Sequence, residues 1–354
     1  MSRSLVLCPC PNIQDSLNNN FLTCNSGMLR EDMPILDWLT SPINSGALRT
    51  KVNPGKGKVR TVTLTHWQRL TKDQIQENRT NPSCTAETVR GNFCTDYTID
   101  TEENVAVEEF ITLDDWKDVC ENNGEMYVNL IQRMIDGLMW KLWEKTAEQV
   151  AALVGAWGAS VDNVVGGNLE VPTLKTGTTD EIFPFTMEDI DLAIRQSGYC
   201  ANQAFFSGTL LYKYFRRILA GCCANQGVNL ADIMRLYGRA IAYDREMATA
   251  LGGNEFAIST QPSALVLLQY SKNEAWDDAE MQDLIKIGSD YHPRAIRDPK
   301  TGIIIDFNTK VSCGKIYLEM FATTKVVGMP DNLYDTVDEF NGVNFVNSIK
   351  VVNT

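Results

Sequence analysis

Histidine is nearly absent from this chain of 354 residues. With only His66 and His292, little room is left for imidazole acid-base chemistry at neutral pH or for His-ligated metals. His-Glu-x-x-His and Gly-x-Ser-x-Gly are both missing. Gly55-Lys56-Gly57-Lys58-Val59 has glycines and lysines but neither the spacing nor the closing Ser or Thr of a phosphate loop, so it reads as a turn. No apolar run approaches the roughly 20 residues that cross a bilayer. Leu5-Val6-Leu7-Cys8, followed at once by Pro9, is too short for a signal peptide. The ten cysteines include no C-x-x-C; Cys8-Pro9-Cys10 and Cys222-Cys223 are the only close spacings, and buried reduced thiols are expected. No catalytic, cofactor-binding or metal-ligating residue is assigned. Carboxylates are plentiful, so residue counting alone leaves a paired-acid hydrolase open, yet no two acids stand out.

What the chain has is charge separated along its length. Its net charge of −13 and pI near 4.7 argue against tight wrapping by nucleic acid, which needs clustered Lys and Arg. They do not argue against enclosing it, because a wall that repels phosphate leaves a packaged polymer mobile. Against this background Arg49, Lys51, Lys56, Lys58, Arg60, Arg69, Lys72 and Arg79 face only Asp73 and Glu77. The segment predicts two strands, Ala47 to Val52 and Lys58 to Trp67, joined by a turn at Asn53-Pro54-Gly55-Lys56-Gly57. An isolated hairpin is marginal in water and needs a surface to lie on. Asp96, Asp100, Glu102, Glu103, Glu108, Glu109, Asp114, Asp115 and Asp118 offer an acidic one, interrupted only by Lys117. The contact can close within the chain or reach a neighbour and propagate head to tail.

The first forty or so residues read as an irregular arm with one apolar patch, Met33 to Leu39, suited to a short helix. Tyr97 to Ile111 predicts one acidic strand, and Thr112-Leu113-Asp114-Asp115 a capping box. From Glu125 to Trp157, Val128, Ile131, Ile135, Met139, Leu142, Trp143, Ala147, Val150 and Val154 recur mostly three or four apart, which predicts a helix of roughly 50 Å. Trp140, Trp143 and Trp157 are expected in the core. A mixed block follows, with a helix capped by Thr186-Met187-Glu188-Asp189, another from Thr209 to Cys222, and strands at Ala204 to Phe206, Ala240 to Tyr243, Glu255 to Ile258 and Ala264 to Tyr270. The chain closes on β-rich runs at Ile303 to Ile305, Ile316 to Val327 and Phe345 to Val352, after a turn at Asp298-Pro299-Lys300-Thr301-Gly302. There is no internal repeat.

That order of arm, basic loop, acidic strand, long helix, mixed block and returning strands resembles the major capsid protein of tailed bacteriophages, the Hong Kong 97 fold. Thr260 to Tyr270 resembles that family's axial-domain strand. Asp298 to Asp306, Cys313-Gly314 and Met329-Pro330-Asp331 resemble its C-terminal return. The resemblance spans roughly residues 20 to 354. It implies an α+β fold with an N-terminal arm (1–43), an extended loop (44–95), a peripheral domain with a spine helix (96–178), an axial domain with a small mixed sheet (179–296) and return strands completing the peripheral domain (297–354).

The resemblance implies no active site and no cofactor. It implies hexamers and pentamers in an icosahedral virion shell around double-stranded DNA, assembled in the bacterial cytoplasm, without sequence-specific DNA binding and without a membrane. Portal and scaffolding proteins, with decoration proteins in some relatives, are the implied partners; the arm begins almost at once, so scaffolding is expected from another protein. Arg49, Lys51, Lys56, Lys58, Arg60 and Arg69 would then meet acids such as Glu102, Glu103, Glu108 and Glu109 of the next subunit. Lys56 and Lys58 at the loop tip fit charge pairing better than the covalent Lys-Asn bonds of some relatives. The same fold also serves an encapsulin-like compartment, and a soluble hydrolase using paired carboxylates is the remote alternative.

Overall fold

The computed structural model describes residues 32–44, 49–52, 59–65, 94–115, 125–158, 170–176, 179–182, 205–209, 212, 241–252, 256–260, 265–273, 291–328, 343–347 and 350–353. In chain order these form α1 (Pro34–Asn44), β1 (Arg49–Val52), β2 (Val59–Thr65), β3 (Cys94–Asp100), β4 (Asn104–Thr112), α2 (Glu125–Gly158), β5 (Glu170–Thr176), β6 (Thr179–Ile182), β7 (Phe205–Ser207), β8 (Ile241–Ala242), α3 (Arg245–Ala250), β9 (Phe256–Thr260), β10 (Leu265–Tyr270), β11 (Tyr291–Arg297), β12 (Ile304–Ser312), β13 (Lys315–Gly328), β14 (Val343–Asn347) and β15 (Lys350–Asn353). The chain is therefore α+β. The helix expected after Thr186 and most of the one expected from Thr209 to Cys222 lie outside the described residues.

The long helix forms where its spacing predicts, with 34 residues in α2. Every apolar position that sets the spacing, from Val128 to Val154, is buried. The buried stripe lies along β4 and β13, the two strands that share the longest ladder, from Lys315 opposite Thr112 to Thr323 opposite Asn104. Strand alternation does the rest. Val105 and Ile111 of β4 and Ile316, Leu318, Met320 and Ala322 of β13 are buried in the same core cluster as α2. Trp143 belongs to that core, whereas Trp140, expected there, is 56% exposed. Trp140 stands about 60° round α2 from Trp143, just past the edge of the buried stripe. The side chain of Trp157 lies outside what is described.

β13 organises the largest sheet, in the order β10-β13-β12-β11 with β4 also paired to β13. β12 turns into β13 through Cys313 at φ 49° and Gly314 at φ 74°, the left-handed pair that a two-residue hairpin requires. The expected turn before β12 is present as well: the Asp298 carboxylate accepts from the backbone and hydroxyl of Thr301, and Gly302 takes a φ of 72°. β10, read from sequence alongside the other strands of the mixed block, pairs instead with β13. The four-stranded sheet of that block has the order β14-β9-β7-β8.

Two single strands of the sequence reading are divided in the structure. Tyr97 to Ile111 breaks at Thr101–Glu103, where the Glu102 amide donates to the Asp100 carboxylate and the Glu103 amide to the Asp100 carbonyl. β3 then pairs with β2, and β4 with β13. Phe345 to Val352 divides likewise, β14 pairing with β9 and β15 with β5.

Candidate assembly surface

The basic hairpin is anchored at its base. β1 and β2 are antiparallel, and β3 adds a strand to make a three-stranded sheet. Val62 and Leu64 of β2 and Ile99 of β3 are buried against Val266 and Leu268 of β10 and Val327 of β13. Because side chains alternate, the opposite face carries Lys51, Thr63 and Asp96 in one cross-strand row, with the Thr63 hydroxyl donating to the Asp96 carboxylate at 2.5 Å. The marginal hairpin thus gains both a third strand and an apolar floor from its own chain.

The predicted basic contacts divide accordingly. Lys51 is exposed at the hairpin base. Arg60 is engaged within the chain: its Nε donates to the Tyr270 hydroxyl at 3.3 Å and its guanidinium lies 5.8 Å from that ring's centre. Arg49 lies in β1, and only its backbone is described. Lys56, Lys58 and Arg69 lie outside the described residues.

The acids do not form one patch. Glu102 and Glu103 are exposed in the turn between β3 and β4, where the Glu103 carbonyl accepts from Lys145 Nζ of α2 at 2.6 Å. Burial lowers the Lys145 ammonium below its ordinary pKa, and the Glu103 carboxylate opposes that shift. Strand alternation then separates the last two. Glu109 points to the helix side, 3.7 Å from Arg133, while Glu108 points to the open side of the sheet.

That open side was not anticipated. Glu108 and Phe110 of β4 lie opposite Glu319 and Tyr317 of β13, and Asn308 and Lys310 of β12 flank them on the other edge. A hollow of about 360 Å³ is lined by Glu108, Asn308, Lys310, Ser312, Tyr317 and Glu319. Phe110 is 52% exposed, with its ring 6.3 Å from that of Tyr317 and Lys315 Nζ 3.9 Å over its face. A Phe in an outward register position of an acidic strand is the one signal of this face in the sequence. Glu108 and Glu319 are exposed opposite each other in an open hollow, where water has free access; acid-base chemistry needs the reverse. Among the described residues no group of His, Cys, Asp and Glu is placed to hold a metal ion.

No family model and no curated protein matches the chain. Among solved structures it is similar to the capsid of Ralstonia phage GP4, with 13% identity and a TM-score of 0.41 over 85% of this chain and 86% of that one. It is also similar to Mycobacterium phage Che8, with 10% identity and a TM-score of 0.37 over 82% and 85% of the two chains. A third is the satellite phage P4 procapsid that includes a size determination protein, with 9% identity and a TM-score of 0.34 over 86% and 90%. TM-scores this low carry no functional argument of their own.

Proposed function

We propose that the chain is the structural subunit of a tailed-phage head, assembling as hexamers and pentamers into an icosahedral shell around double-stranded DNA. One observation carries the reading: a 34-residue helix is laid along a long ladder of β4 and β13, and no described element covers the far side of that plate, where Phe110 is exposed. Such a plate suits lateral contact between copies better than enclosure of a substrate. An exposed aromatic beside paired charges is the composition of an interface centre and its rim.

In this reading residues 1–43 are the arm, 44–95 the extended loop, 96–178 with 297–354 the peripheral domain and 179–296 the axial domain. Sheet pairing of β4 with β13 supports joining the two peripheral stretches. The loop tip, with Lys56 and Lys58, reaches acids of a neighbouring copy; Glu102, Glu103 and Glu108 are the exposed candidates, and Glu109 contributes least because Arg133 already faces it. Portal and scaffolding proteins are its further partners, with decoration proteins left open, and the particle assembles in the host cytoplasm.

Electron microscopy of the purified protein, with its absorbance ratio for nucleic acid, tests the class. Closed regular shells are expected. Shells of small diameter holding a protein cargo would instead identify an encapsulin-like compartment, and a persistent monomer would remove the structural reading altogether. Within the class, Lys56→Glu with Lys58→Glu should abolish shells and leave the monomer folded, whereas Arg60 is left intact because it braces its own sheet through Tyr270. Normal shells from that double variant would end the loop-docking contact.

A further inference from the structure

The open face of the β4–β13 ladder carries an electrostatic mismatch. Glu108 and Glu319 stand directly opposite each other across it, both exposed, and like charges in that position repel. Lys310 lines the same hollow and Lys315 lies over the Phe110 ring, yet among the described residues no cation forms an ion pair with either carboxylate. Glu319 is instead tied to an amide. Asn308, its neighbour across the β12–β13 ladder, donates from Nδ2 to the Glu319 Oε2 at 3.2 Å. Asn308 is itself buried and held from behind: its Oδ1 accepts from Asn273 Nδ2 at 2.9 Å, and the Asn273 amide donates to Asp306 Oδ1 at 3.1 Å. The buried Asp306 carboxylate also accepts from the Ser271 hydroxyl and the Lys272 amide. A chain of hydrogen bonds thus runs from the turn after β10 to the rim of the hollow and ends at Glu319.

We propose that Glu108 and Glu319 form the seat for one ammonium group of a second copy, that of Lys56 or Lys58 at the tip of its basic loop, and that Asn308 positions Glu319 to receive it. The inference rests on the shell reading above and narrows it to one contact. An ammonium placed between two facing carboxylates turns their repulsion into attraction, and its several donors serve both. The carboxylate on the β13 side is already oriented by a buried amide, so less side-chain freedom is lost when the cation arrives. Beside the pair, Phe110 and Tyr317 offer apolar area for the lysine stem to cover. The sign of the partner follows from the same comparison. The loop is the one strongly basic stretch of an acidic chain, and the seat is two acids that this subunit leaves without a cation. Loop tip and seat are different surfaces, so the contact is heterologous and passes from copy to copy.

Shell yield from full-length variants, counted by electron microscopy and set beside the melting temperature of the unassembled subunit, tests the seat. Glu319→Gln should lower the yield by about tenfold and leave the melting temperature unchanged or higher, because it removes one member of a repelling pair. Glu108→Lys with Glu319→Lys should abolish shells, and adding Lys56→Glu with Lys58→Glu should restore them. Asn308→Ala should cost yield in the wild-type background and nothing further beside Glu319→Gln, whereas a purely structural asparagine would cost the same in both. Should Asn308→Ala not fold, Asn308→Asp, which keeps the acceptor for Asn273 and loses the donor, is read in the same cycle; failure of both to fold overturns the positioning role. Normal shells from Glu319→Gln, no restoration by the charge exchange, or a fall in melting temperature overturns the seat while the shell reading stands. An absence of shells from the wild-type chain removes the seat together with that reading.

Discussion

The two faces of the β4–β13 ladder are built from the same strands and behave in opposite ways. Toward α2 stand Val105, Val107, Ile111, Ile316, Leu318, Met320 and Ala322, all members or close neighbours of one apolar cluster. Away from it stand Glu108, Phe110, Tyr317 and Glu319, with Lys310 and Lys315 beside them. The first face is explained by the chain itself, because its partner helix is part of the same molecule. The second carries an aromatic pair and charges of both signs with no layer of this chain's described residues over them, which is how a surface for another molecule is composed.

The sharpest break of this comparison is on the helix side. Leu318 is fully buried, and Leu318→Ala removes its methyl groups from a packed layer. Denaturant unfolding should show a loss of about 2–5 kcal/mol. A loss below about 1 kcal/mol would mean that this face is not the core it is taken for.

On the open side the matching change should separate stability from assembly. Phe110→Ser removes a half-exposed ring whose contacts are Tyr317 and the Lys315 ammonium. Unfolding should move by no more than about 1 kcal/mol, the scale of one exposed ring contact, while shell yield falls strongly. Full shell yield from this variant would show the open face to be solvent surface and nothing more.

Sequence legibility follows the same division. Features set by local sequence were readable: α2 from its apolar period, the turn at Asp298 to Gly302, and the basic hairpin from the proline and glycines between its two strands. The break of the acidic stretch was not, because Thr101, Glu102 and Glu103 contain no Gly or Pro and the turn is made by the Asp100 carboxylate. Nor was the open face, since it exists only when β4 meets β13 some two hundred residues later. Asp244 was equally hidden. Nothing local distinguishes a surface aspartate in front of a short helix from one that also holds α1 and Trp143. Of the candidate contacts, chosen by charge, Arg60 has a partner in Tyr270 and Glu109 an exposed one in Arg133, and neither pairing could be read from the sequence.

The smallest effect lies on the outer stripe of α2, turned away from the sheet. Gly137 is exposed in the middle of this helix, one turn before the exposed Trp140, and an added Cβ would meet nothing within 4 Å. A glycine there costs helix stability through the freedom it gives the unfolded chain, with no packing reason inside the subunit to offset it. Gly137→Ala should therefore raise unfolding stability by roughly 0.5–1 kcal/mol. If stability rises as expected and shells still form, the stripe is solvated in the particle. If stability rises and shells are lost, the glycine is there to let another chain approach the helix, and the division between a satisfied face and an interacting one extends round to the far side of α2. A fall in stability would contradict the open surroundings of Gly137 and with them the placement of this stripe.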